Sequence, residues 1–138
     1  MRQAVAMRAL TVAVAIARPA TAAPDRSALQ RDLVDYAMAS CFAAQPDPYL
    51  KDQGQRWAGA VMQRAHGPVE LWTPVADAVA RELGRTGIGG AQPDRPGLPG
   101  IPLPVMTCGE ITETPSVRMA IETAARALRA DYANRPND

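Results

Sequence analysis

The residues of this chain with chemical potential are two cysteines, one histidine and a few paired carboxylates. A nucleophilic cysteine needs a nearby base and a group that orients it. His66 is the only imidazole, and no serine-containing elbow accompanies it. Beside Gly67 at a helix end, His66 reads as a side chain facing the helix dipole. Structural zinc takes four N or S ligands, and pairing Cys41 with Cys108 would consume both sulfurs. Asp32 and Asp35, alternating with Arg31, read as the solvated outer face of a helix rather than as carboxylates flanking a cleft. Glu110 and Glu113 lie in an irregular segment near Cys108. Gly87-Ile88-Gly89-Gly90 lacks both a preceding strand and a following Gly-Lys-Ser/Thr, so it is no phosphate loop. Trp57 and Trp72 fall on apolar stripes and read as core. The expectation is a protein with no catalytic residue, metal or cofactor, and hence not an enzyme.

Those residues sit in a chain of 138 amino acids, 47% hydrophobic, 21% charged and 4% aromatic. One small domain fits that length. Fifteen basic and fourteen acidic residues leave a formal charge of +1. There is no basic surplus of the kind that nucleic-acid binding requires.

The first segment reads as an export signal. Arg2 and Arg8 precede nine uncharged residues, 9–17, and Ala20-Thr21-Ala22 forms a small-x-small site with cleavage before Ala23. Nine residues are far short of the ~20 that span a bilayer. Removing residues 1–22 leaves 116 residues at net charge −2. In an oxidising compartment, Cys41 and Cys108 are most simply one disulfide. It would close a loop of 68 residues. On the chain-entropy account that closure is worth roughly 4 kcal/mol.

Helical periodicity organises residues 23–138 into one all-α domain, a small bundle of four to five helices. Ser27 and Gln30 fit a capping box. Leu29, Leu33, Tyr36, Ala37, Ser40, Cys41 and Ala44 then recur at steps of three and four, ending before Pro46. Asp47 and Pro48 start a second helix with Leu50, Trp57, Ala58, Val61, Met62 and Ala65 on its stripe. Gly54 and Gly59 weaken it or permit close packing, and Gly67-Pro68 ends it. A third helix carries Leu71, Trp72, Val75, Val79 and Leu83, stopping at Gly84. Pro74 either begins it, after Thr73, or kinks it. Residues 84–104 hold six Gly and five Pro, a Pro/Gly-rich loop. A short apolar segment, 105–111, offers about one helical turn. Thr114-Pro115 opens the last helix, with Val117, Ile121, Ala124, Leu128 and Tyr132 inward.

Two motifs carry a resemblance. Tyr36-Ala37-Met38-Ala39-Ser40-Cys41-Phe42-Ala43 resembles a helix reading aromatic-Ala-x-x-x-Cys-apolar-Ala. Leu103-Pro104-Val105-Met106-Thr107-Cys108 resembles an apolar-x-apolar-Met-x-Cys segment opening a later helix. Together, in this order and with two helices between, they resemble the Tai4-like immunity proteins of type VI secretion amidase effectors. Ser40 and Thr107 stand where that family carries basic residues beside its cysteines. The resemblance implies a periplasmic helical protein, often a homodimer, that occludes the cleft of a peptidoglycan amidase and performs no reaction itself.

An inhibitor of that kind needs an apolar anchor on a stiff protrusion with a polar rim. The loop at 84–104 is the candidate, with Leu98 and Ile101 as anchors and Asp94 and Arg95 as rim. The alternative expectation is a periplasmic helical module that binds a small ligand or assists envelope assembly.

Overall fold

The computed structural model describes residues 27–134. The segment read as an export signal lies outside them. Five helices, one 3₁₀ turn and a two-stranded ribbon follow in order: α1 (Ala28–Ala43), α2 (Pro48–Arg64), the turn Val69–Leu71, α3 (Thr73–Thr86), β1 (Gly90–Ala91), β2 (Ile101–Pro102), α4 (Pro104–Thr112) and α5 (Pro115–Ala133). The fold is all-α, as the periodicity predicts.

α1 is the axis of the bundle and packs against the other four helices. Its start is set locally, because the Gln30 N–H donates to Ser27 Oγ at 3.2 Å. The same chemistry starts α2. The Leu50 N–H donates to Asp47 Oδ1 at 2.9 Å, and Pro48 occupies the first turn where its missing N–H costs nothing. Leu33, Ala37 and Cys41 of α1 meet Val61, Trp72, Val75, Val79, Val117 and Leu128 in a single core, all fully buried. Those residues are the ones the helical stripes place inward.

The α1–α2 crossing is closer than the stripes imply. A Cβ on Gly54 would stand 2.2 Å from the Ala43 backbone N and 2.7 Å from the Ala39 carbonyl oxygen. Ala39 is fully buried in consequence, although it lies off the predicted stripe. Gly59 plays no such part, since a Cβ there would meet nothing within 4 Å.

Helix ends differ from expectation at two places, and at Pro74 one of the two alternatives is met. α2 stops at Arg64, with Ala65 already extended (ψ 154°), so Gly67 and Pro68 belong to the connection. Pro74 lies in the first turn of α3 and no kink is needed, because the 3₁₀ turn ends just before it. α3 runs past Gly84 and stops at Gly87, whose φ of +70° terminates the helical path. Gly84 faces open space, so its cost is only conformational.

Asp32 corrects the reading of a solvated outer face. It is only 5% exposed. Its Oδ1 accepts from Arg64 Nε at 2.7 Å, and its Oδ2 accepts from the Tyr132 hydroxyl at 2.7 Å. Arg64 also donates through Nη2 to Asp35 Oδ2 at 2.6 Å. One arginine of α2 and one tyrosine of α5 thus close over the carboxylates of α1. The pairing raises the Arg64 pKa, first through the hydrogen bond to Asp32. His66 also departs from its reading at a helix terminus. It lies beyond the end of α2, and its ring meets Tyr132 edge-on at 5.2 Å.

Two outcomes test this packing. Gly54→Ala should lower stability by about 2 kcal/mol or more, since backbone must move. Gly59→Ala should raise it by roughly 0.5–1 kcal/mol. Urea midpoints of the two variants therefore move in opposite directions. Tyr36, whose ring meets Trp72 edge-on at 5.5 Å, has its pKa raised by burial and then by Asp77. Tyr36 should contribute no pH dependence below about pH 10, where its phenol is neutral in both states. Above that, the unfolded chain ionises first and stability should fall until the folded value is passed. Denaturation between pH 8 and 11, compared with Tyr36→Phe, reads this directly.

Candidate functional site

The stretch read as a Pro/Gly-rich loop forms a hairpin on a fixed base. Gly90 faces Pro102 and Ala91 faces Ile101 in an antiparallel pair. Pro96 and Gly97 form the turn at its far end, and Gly97 has φ +86°. A Pro-Gly pair suits a type II turn, which requires positive φ at its third residue. Prolines recur at 93, 96, 99 and 102, a three-residue period within the segment.

Thr107 mounts the hairpin. This side chain is buried on the first turns of α4. Its Oγ1 accepts from the Gly89 N–H at 3.0 Å and donates to the Leu103 carbonyl at 3.0 Å. The Leu103 N–H donates in turn to the Gly89 carbonyl at 2.9 Å. Both strands of the hairpin are therefore tied to one threonine hydroxyl. The next residue, Cys108, is bonded to Cys41 of α1, with Cα atoms 5.6 Å apart. The disulfide read from the sequence is present.

α4 is a nine-residue helix, longer than the single turn expected. Cys108 and Ile111 are its two buried apolar side chains. Gln45 covers the disulfide. Its Nε2 donates to the Cys41 carbonyl at 3.0 Å and lies 3.8 and 3.6 Å from the two sulfurs.

The four predicted contact residues all fall on this hairpin. Asp94 and Arg95 are exposed just before the turn, and Leu98 just after it. Ile101 lies on β2, and both Leu98 and Ile101 are 56% exposed. The sequence reading placed Val105 and Met106 in a short apolar segment of about one helical turn and did not single them out as a surface. They are 63% and 44% exposed on the first turn of α4. Part of the signal was present: Cys108 and Ile111, three residues apart, fix the inward face of a helix that Pro104 starts and leave Met106 opposite it, whereas Val105, three residues before Cys108, gave no such sign.

The other groups considered for chemistry stay apart. Asp32 is hydrogen-bonded to Arg64 and Tyr132, and His66 packs its ring edge-on against Tyr132. Trp72 is fully buried, with its Nε1 unpartnered, and belongs to the core. Trp57 is half-buried against Phe42, ring centres 6.2 Å apart. Among the described residues, no group of three His, Cys, Asp or Glu is placed to hold a metal ion. No helix among them is long and apolar enough to cross a membrane. A separate open groove of about 310 Å³ lies between α3 and α5, lined by Leu71, Pro74, Met119 and Ala124 with Arg81 and Ser116.

The fold and site together define a disulfide-stapled helical bundle that displays one apolar hairpin. Comparison with known proteins finds no matching family model, curated relative or solved structure.

Thr107→Val should release the hairpin base without disturbing the core. The Gly89 N–H loses its acceptor, a change worth about 1–3 kcal/mol locally. Hydrogen exchange at Gly89 and Leu103 should accelerate at least about tenfold, while the amides of α1 and α5 keep their protection.

Proposed function

We propose that this protein is a periplasmic immunity protein that binds and blocks a type VI secretion peptidoglycan amidase effector. The observation that carries the reading is the exposed hairpin, with Leu98 and Ile101 outward and its base tied to Thr107 beside the disulfide. Binding costs free energy to order whatever is mobile. A hairpin held at both strands has little left to order, so its two aliphatic side chains can enter a cleft with most of their desolvation gain intact. Asp94 and Arg95 then meet the polar margin of that cleft. Occlusion of the amidase cleft protects the cell wall with no reaction by the inhibitor. A disulfide and an export signal both fit a compartment outside the cytoplasm. The homodimer implied by the resemblance would leave one hairpin per protomer.

A second reading draws on the groove between α3 and α5. Its apolar wall with Arg81 and Ser116 at the edge suits a small amphipathic ligand, as a helical binding module would require. The hairpin has no part in that reading.

Co-purification with the product of the adjacent gene, followed by a peptidoglycan hydrolysis assay, decides between them. The expected result is a tight complex in which hydrolysis stops. Leu98→Asp should weaken it by about 2 kcal/mol or more, as for a central interface anchor. An inhibitor that still works after deletion of residues 92–101 would rule the hairpin out.

A further inference from the structure

We infer that the first turn of α4 completes the docking surface of the hairpin, and that its occupant is an uncharged, apolar cleft on a folded protein. The inference rests on the inhibitor reading and extends it to Val105 and Met106. Residues 96–109 contain no charged side chain, fourteen in succession, between Arg95 and Glu110. Four large side chains of that run, Leu98, Ile101, Val105 and Met106, are exposed. The two halves adjoin, since Met106 Cε lies 3.9 Å from the point where a Cβ on Gly89 would stand. Met106 thus reaches the hairpin base, and its unbranched thioether can adapt to an irregular wall.

The charge pattern selects the occupant. A charged partner face would lose its hydration here and gain no ion pair. An apolar face loses nothing of that kind. The backbone points the same way. Four of the nine residues 96–104 are proline and have no N–H. The Leu103 N–H is already spent on Gly89. Dehydrating this segment therefore strands few donors, whereas each stranded donor would oppose binding. A lipid surface is the other apolar environment. Segments that enter it carry interfacial Trp or Tyr and several Lys or Arg. This run has no aromatic residue, and Arg95 is its only flanking cation.

The test is a binding isotherm of the whole protein with the purified amidase encoded beside it. Val105→Glu and Met106→Glu should each weaken binding about tenfold or more. A glutamate in the first turn of a helix suits its dipole, so both variants should fold. Pro99→Ala with Pro102→Ala adds two N–H donors and removes little apolar area. That pair should also weaken binding by about tenfold or more. Tyr49→Glu, at an exposed position in the first turn of α2 and outside both the hairpin and the groove, should leave affinity unchanged. If wild type and both glutamate variants bind alike, the inference is overturned while the inhibitor reading stands. If wild type does not bind the amidase at all, the inhibitor reading falls and this inference falls with it. If wild type binds phosphatidylethanolamine–phosphatidylglycerol vesicles and Val105→Glu abolishes that binding, the protein occupant is overturned in favour of a lipid one.

Discussion

α4 has nine residues and two buried apolar side chains, one of them half of a disulfide. A helix of that length is marginal in water on its own. Its place in the fold depends on the bond between Cys108 and Cys41. Cys41 lies on the buried face of α1, the helix that touches all the others. The bond therefore transfers the rigidity of the bundle axis to a short element at its margin. Gln45 lies over the sulfurs and helps keep the linkage out of water. The residue just before Cys108, Thr107, passes that constraint to the hairpin through a single hydroxyl. Core, staple, threonine and hairpin form one mechanical series, and each link is short.

Much of this was legible in the sequence. Leu33, Val61, Val75, Val79, Val117, Ile121 and Leu128 recur at helical spacing, and burial near one face is a local property of such spacing. The caps at Ser27 and Asp47 are local too. The disulfide followed from compartment and count. The hairpin residues Asp94, Arg95, Leu98 and Ile101, singled out in the sequence as a partner contact, are exposed, on a stretch read as a loop rather than a ribbon. A two-residue ladder leaves almost no alternating pattern to see.

What escaped was long-range. Asp32 looks like a surface residue because its partners, Arg64 and Tyr132, are 32 and 100 positions away. No pattern within α1 announces them. Gly54 and Gly59 look alike in sequence, and only the crossing of α1 over α2 separates them. The same holds for Thr107, which reads as an ordinary polar residue beside a cysteine. Its value lies in being opposite Gly89, eighteen residues earlier.

The proline spacing of the hairpin has another consequence. An exposed ribbon with apolar side chains invites edge-to-edge pairing with its own copies. In an antiparallel ladder, N–H groups of successive residues point alternately inward and outward. The Leu103 N–H points inward, to Gly89. The adjacent Pro102 therefore sits where an outward donor would be. That edge offers little to an incoming strand. The protein can hold a greasy surface in view of its neighbours and still resist growing into a fibre.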